Sequence, residues 1–413
     1  MKKIIIVLFF LSLFILQGYA EILTLQQCIE NAIENDSSII QEKLRIEALE
    51  LKIKQIKTNF LPEASLSQGI SYSDTSGKES YSTRLGVNYT INDGGLRNND
   101  LDIAKLNVEK EIQEYNRLKN NVIFNVSELY YRIQQKKQGI DLQNTILERR
   151  KKDLILIRLK YHAGKESLQA VNESETSFKE AEYRKLKEER ELGNIYFEIN
   201  TIMGKELTYK FDVFEEKISF TAFNSDDILK LSIANRPEIQ KILISENLNL
   251  LNKKNIHANY KPKLSASMSE SLGGKEIFKN DSFSASLSLS YKLYDGGKKS
   301  ILLEESENTI KATENEIKKL KDDIVIEVYN ALKNYELAYA KLQIDELLLK
   351  AKKDIYLLTK LKYEQGSETY FVFQNKENDL SQAEYNYVSS IYSYRTSLLT
   401  LQKVAGGKIG KNM

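Results

Sequence analysis

His162, His257 and Cys28 are the two histidines and the one cysteine of a 413-residue chain, so metal or nucleophile chemistry would have to start from them. His162 falls in the break Tyr161-His162-Ala163-Gly164, and His257 in a polar helical end ahead of Pro262. Neither stands at ligand spacing from a Cys or a carboxylate, and both read as solvated surface groups. A single cysteine can form neither an intrachain disulfide nor a thiolate cluster. Gly-Gly-Lys occurs at 273–275, 296–298 and 406–408, without the spacing or the following Ser or Thr of a phosphate loop. Charged runs such as 184–191 read as solvated or interhelical faces. No catalytic, cofactor-binding or metal-ligating constellation emerges. The expectation is a protein that is not an enzyme, with any energy supplied by a partner.

The patterned residues are of another kind. Phe283, Ala285, Leu287, Leu289, Tyr291 and Leu293 alternate with Ser284, Ser286, Ser288, Ser290 and Lys292, and Asp295-Gly296-Gly297 follows. Period two of this kind makes a strand with one apolar and one wet face. About two hundred residues earlier, Tyr81, Thr83, Leu85, Val87, Tyr89 and Ile91 alternate with Ser82, Arg84, Gly86, Asn88 and Thr90, ahead of Asp93-Gly94-Gly95. Upstream partners alternate likewise: Ala64, Leu66, Ile70 and Tyr72 with serines and Gly69, and Leu264, Ala266, Met268 and Leu272 with Ser265, Ser267 and Ser269. The spacing predicts two hairpins, whose strands approach the ~9–11 residues that cross a bilayer at a tilt.

The amino terminus supports a membrane destination outside the cytoplasm. Lys2-Lys3, an apolar run from Ile4 to Leu16, and Gly18-Tyr19-Ala20 describe a secretory signal cleaved after Ala20. The run is short of the ~20 residues of a spanning helix. No cysteine follows the cleavage site to carry a lipid. With Lys2 and Lys3 removed, basic and acidic residues balance at 58 each, so nothing calls for a nucleic-acid partner.

Between the strands the pattern is helical. A stretch from Glu21 to Asn59 could be capped by Thr24 and is closed by Pro62. Leu96 to Lys160 contains no Pro and one Gly, Gly139, with Val122, Val126, Leu129 and Ile133 striped at three and four. Read through Gly139, it spans about 100 Å. A second helix runs from about Ser167 to Met203 and stops at Gly204. The programme then repeats: Pro262 follows Pro62 by 200 residues, Gly297 follows Gly95 by 202, and Gly366 follows Gly164 by 202. The resulting organisation is signal peptide 1–20, helix 21–62, hairpin 63–92, long helical hairpin 93–204, connector 205–226, helix 227–262 (broken before Pro237), hairpin 263–294, long helical hairpin 295–406 and tail 407–413. The hairpin loops are expected at 74–80 and 273–282.

Four strands cannot close a barrel, and open edges are not tolerated in hydrocarbon, so further strands must come from other copies. Three copies give twelve strands, an even number above the minimum of about eight. Apolar residues would face outer-membrane lipid, tyrosines would sit at its borders, and the Ser, Gly, Asn, Arg and Lys series would line a wet lumen.

This layout resembles the TolC family of outer-membrane channel-tunnels over nearly the whole mature chain. The residues that carry it are Pro62 and Pro262, the Asp-Gly-Gly exits, and the turns Arg158-Leu159-Lys160-Tyr161-His162-Ala163-Gly164 and Lys360-Leu361-Lys362-Tyr363-Glu364-Gln365-Gly366. The resemblance implies a mixed α and β membrane protein: a homotrimer with a 12-stranded β-barrel continuous with an α-helical barrel in the periplasm. It also implies a passive exit duct for tripartite efflux or type I secretion, docked to a periplasmic adaptor (membrane fusion protein) and fed by an inner-membrane transporter. A non-conducting structural or adhesive spacer is the competing reading. Arg158, Leu159, Tyr161, Gly164 and Ser167, with Lys360, Leu361, Tyr363, Gly366 and Ser367, would form the tips that an adaptor reaches. Family members commonly place acidic residues six and nine positions after the second-turn Gly, as carboxylate rings at the constriction. Here those positions are Val372 and Asn375, so closure by narrowness and weak cation selectivity are expected, with Glu368 the alternative source of an acidic ring.

Overall fold

The computed structural model describes residues 21–73, 78–214, 219–274 and 280–407; the expected signal peptide, parts of both hairpin loops and most of the tail lie outside them. Elements follow in the order β1 (Glu21–Leu23), α1 (Leu25–Asn35), α2 (Ser37–Thr58), β2 (Glu63–Ser73), β3 (Lys78–Asn92), α3 (Leu96–His162), α4 (Leu168–Met203), β4 (Phe211–Val213), α5 (Ser225–Asn235), α6 (Pro237–Ala258), β5 (Lys263–Gly274), β6 (Asn280–Ser290), α7 (Lys298–Glu364) and α8 (Tyr370–Val404). The chain divides into two units: 41–117 with 237–323, and the remainder. The first holds the four-stranded sheet, in the order β2-β3-β5-β6.

That sheet keeps the alternation read from the sequence. Leu66 lies opposite Leu85, and Leu287 opposite Ala266, while Ser65 meets Gly86 and Ser267 meets Ser286. The apolar face is bare: Leu66 and Leu289 are each 71% exposed. Among the described residues three charges break the pattern on the apolar face: Glu270 opposite Leu85 and Phe283, and, near the loop ends, Glu79 opposite Tyr72 and Asp281 opposite Leu272. The polar face is laced by serine hydroxyls, with Ser267 to Ser286 at 2.8 Å and Ser269 to Ser284 at 2.9 Å. β2 and β6 are the two edges of this sheet.

Three expectations are corrected. Glu21–Leu23 is not helical but a strand, paired in parallel with Phe211–Val213; the Thr24 capping box with Gln27 starts the helix only afterwards. Both hairpin loops are shorter than expected: β3 begins at Lys78, inside 74–80, while β5 runs to Gly274 and β6 begins at Asn280, inside 273–282. β6 also stops at Ser290 rather than Leu293, because its ladder to β5 ends at the pair Lys263–Ser290.

In the second unit, α3 passes through Gly139 without a break. A Cβ there would meet the Glu188 carboxylate at 3.3 Å, and that 5%-exposed carboxylate accepts from Lys136 at 2.9 Å and Tyr385 at 2.6 Å. Gly139 thus clears space for a buried charge that ties α3, α4 and α8 together. The helix ends of the two repeats are built alike. Gly204 (φ +65°) lies against Asn35, and Gly406 (φ +82°) against Asn235. Each left-handed glycine stops its helix where another helix comes too close for a Cβ.

Gly204→Ala should therefore lose more than a left-handed Ala alone, about 1–2 kcal/mol, because its Cβ would lie 2.7 Å from that of Asn35. Gly164→Ala has a similar φ but open space around it, and should lose only the backbone part. Thermal unfolding of the two variants compares them; equal losses would show that the contact with Asn35 carries no weight.

Candidate functional site

The two turns between long helices form by the same local chemistry. Gly164 donates to the Tyr161 carbonyl at 2.9 Å and Lys165 to Lys160 at 2.8 Å; Gly366 donates to Tyr363 at 3.1 Å and Ser367 to Lys362 at 2.9 Å. Both glycines are left-handed (φ +68° and +79°) with nothing around them. The Ser167 hydroxyl caps α4 through Ala170 N–H at 3.1 Å. In the second turn Thr369 does this for α8, through Val372 N–H at 3.4 Å, while the Ser367 hydroxyl donates to the Lys362 carbonyl.

Matching positions of the two turns face different surroundings. Leu159 and Leu361 are both exposed, but Tyr161 is 38% exposed and Tyr363 only 1%. Arg158 reaches Glu175 at 3.0 Å in an exposed pair, whereas Lys360 reaches the buried Asp153 at 2.9 Å. Tyr363 stacks on Phe373 at 4.9 Å with planes 2° apart, inside a cluster with Ile157, Val171, Tyr356 and Tyr370. Lys160 sits 3.9 Å above the Tyr363 ring and donates to its carbonyl. Tyr363 is thus no surface group in the protomer and Lys360 is half-buried, whereas the other tip residues expected to meet a partner are exposed. Burial raises the Tyr363, Tyr370 and Tyr356 hydroxyl pKa values, so all three stay neutral across ordinary pH. Burial likewise raises Asp153 above its ordinary value, outweighing Lys360.

Of the expected constriction residues, Val372 is half-buried and Asn375 exposed. Glu368 is half-buried and accepts from the Thr369 N–H at 3.1 Å.

The sequence reading missed the charged lock just above the turns. Arg149 of α3 donates to Glu377 at 3.2 Å, Ser381 at 2.9 Å and Glu384 at 2.8 Å, all on α8. Arg150 donates to Glu377 at 3.2 Å, to Asn378 at 3.1 Å and to the Ser177 carbonyl of α4 at 2.8 Å. Glu377 is 1% exposed. Burial would lower the Arg149 pKa, but Glu384 and then Glu377 outweigh it and raise it. The available signal was Glu377, Ser381 and Glu384 at one helical face otherwise shared with Leu380, below a double arginine on another helix.

The arrangement offers exposed side chains at both turns and a charged lock behind them. The model of the outer membrane efflux protein family matches residues 28–205 and 228–407, most of the chain and both repeats. The chain belongs to that family. The efflux protein is accordingly an outer-membrane transport component. Its fold is that of solved channels at low identity. CusC, solved in a study of folding and transmembrane channel formation, is 13% identical with a TM-score of 0.81, covering 95% of this chain and 94% of its own. VceC of Vibrio cholerae is 14% identical with a TM-score of 0.80, covering 93% and 96%. The open-state MtrE channel of Neisseria gonorrhoeae is 18% identical with a TM-score of 0.78, covering 93% and 89%. Among curated proteins, no sequence matches the efflux protein.

Proposed function

We propose that three copies of the efflux protein close one twelve-stranded barrel in the outer membrane, continuous with a periplasmic helical tunnel, and serve as a passive exit duct. The observation that carries this is the sheet: four strands, a bare apolar face, a hydroxyl-lined polar face and two unpaired edges. In hydrocarbon such edges must pair. The duplication says how. β3 corresponds to β6 at an offset of 202 and β5 to β2 at 200. Within the chain, Arg84 meets Ser271 and Asn88 meets Ser267. Carried over, Ser286 of one copy meets Ser71 of the next, and Ser290 meets Ser67.

Planar-bilayer recording tests the duct. Wild type should conduct with weak cation preference, because Val372 and Asn375 carry no charge at the proposed constriction. Val372→Asp with Asn375→Asp should raise cation preference and create block by multivalent cations from the tunnel side. Strong multivalent block already in the wild type would assign the ring to Glu368 instead; a trimer that never conducts would leave the spacer reading standing.

The exposed tip residues Arg158, Leu159, Tyr161, Leu361 and Ser367, around Gly164 and Gly366, are the proposed adaptor surface, with an inner-membrane transporter behind the adaptor. Two uncovered leucines beside charged groups at a chain reversal suit a helical partner. Gly164→Trp or Gly366→Trp should leave trimers intact and abolish export in cells. Normal export by both variants would remove the tips from the docking surface.

A further inference from the structure

The two repeats part company where strands meet helices. In the first repeat the Arg97 guanidinium is fully engaged. It donates to Asp93 at 2.9 Å, to the Asn59 carbonyl at 3.0 Å and to the Ile91 carbonyl at 3.4 Å, and lies 4.9 Å from the Phe60 ring. The neighbouring first-repeat positions are Leu61, Glu63, Thr90 and Leu96. In the second repeat the same positions are Lys261, Lys263, Lys292 and Lys298, with Lys299 in place of Arg97. The same turn is therefore built in the first repeat with a single basic residue, Arg97, in place of the five lysines. The fold does not require them.

In the second repeat Lys261, Lys263, Lys292 and Lys298 line a cavity of about 560 Å³, with Tyr260 and Asn259 among the other walls. Lys292 and Lys299 each stand 5.2 Å from the Tyr260 ring. Lys263 reaches only the neutral Asn259 side chain, at 3.3 Å. Asp295 is the carboxylate at hand, and it is already engaged by the Tyr260 hydroxyl and by the Gly297 and Lys299 N–H groups at 3.1 and 2.9 Å. Among the described residues none of the five lysines is within 4 Å of a carboxylate, although Lys292 is near enough to Asp295 to add to the Tyr260 hydroxyl in lowering its pKa. Converging ammonium groups with one committed carboxylate repel one another unless an anion enters between them.

We propose that this cavity is an anion-binding site for solutes carrying phosphate or another compact multivalent anionic group. Compact, multi-donor ammonium groups suit such a ligand. Lys263 lies opposite Ser290, on the hydroxyl-bearing side of the sheet and not on the side of Leu264 and Leu289. The site thus opens to the pore wall and not to lipid, and three copies make a basic collar at the base of the barrel, the arrangement that anion pores use. The placement rests on the duct reading; the binding does not. One counter-charge belongs in the collar: the register above places Ser65 of the next copy opposite Lys292 and Glu63 diagonal to it, leaving the excess positive.

The test uses the full mature trimer and inorganic pyrophosphate. Calorimetric binding to the wild type in detergent is compared with that of a variant carrying Lys261→Gln, Lys263→Gln, Lys292→Gln and Lys298→Gln, after gel filtration shows both to be trimers. The variant should bind at least about tenfold more weakly, and an all-arginine counterpart should retain binding. In bilayers the Gln variant's anion-to-cation permeability ratio should fall by about threefold. Equal pyrophosphate affinity in wild type and Gln variant overturns the site. Lysine-dependent retention of phosphatidylglycerol in nanodiscs, without lysine-dependent pyrophosphate binding, overturns the solute and makes a lipid headgroup the ligand. A trimer that conducts nothing yet binds pyrophosphate through these lysines overturns the duct and leaves the site.

Discussion

A variant carrying Ser71→Cys and Ser286→Cys is expected to run as a covalent trimer on a non-reducing gel after mild oxidation, and as a monomer after reduction. The two positions lie on opposite edges of one protomer's sheet, three strand spacings or about 14 Å apart across it. Along it they are eight residues or about 26 Å apart, because Ser286 shares its row with Ser267, Asn88 and Glu63, so no intrachain disulfide can join them. Across the proposed junction they face each other directly, where Cα separations of about 4.5–5.5 Å suit a disulfide. The native thiol does not interfere, since Cys28 is fully buried and burial pushes its pKa up to about 12. Ser71→Cys with Ser290→Cys is the control: four residues out of register, about 13 Å, it should stay monomeric. Efficient cross-linking of the control with none of the matched pair would mean that the copies join in another register. No cross-linked species from either would argue against edge-to-edge closure altogether.

The second large effect concerns the lock between α3 and α8. Glu377→Ala leaves two buried guanidinium groups without their shared carboxylate. Removing one partner from a buried pair costs about 3–5 kcal/mol, because the remaining charge is uncompensated. Glu384 can hold Arg149, but Arg150 retains only neutral partners, Asn378 and the Ser177 carbonyl. Thermal stability should fall sharply, and protease should cut the turn segments sooner, because the lock ties the second hairpin's returning helix to the first hairpin. Glu182→Ala removes an exposed, solvent-screened pair with Lys179 and should leave the unfolding midpoint almost unchanged. Similar midpoints for the two variants would show that the Glu377 network does not hold these helices.

Much of this protein was legible along the chain because its signals are local and repeated. Period-two alternation at 283–293 and 81–91, prolines at 62 and 262, and glycines at 164 and 366 each act within a few residues, so they declare strands, helix stops and turns without knowledge of the partner surface. The alternation also fixed which face of each strand is apolar, since the side-chain period is two, while the pairing of residues across strands was decided in the sheet. What the sequence could not declare depends on which residues meet across hundreds of positions. Glu21–Leu23 is a strand because Phe211–Val213 lies beside it. Tyr161 and Tyr363 occupy the same place in the same motif, yet one is exposed and the other stacked on Phe373, because only the second turn is covered by the hydrophobic cluster. Arg149 and Arg150 look like ordinary helix-surface charges until α8 brings Glu377 and Glu384 against them. The four lysines that line the cavity beside Tyr260 become a single site only when the end of α6, the start of α7 and the ends of β5 and β6 converge. Local patterning determined the elements and their faces; burial and charge pairing were decided by tertiary contact, because both depend on what displaces water from a side chain.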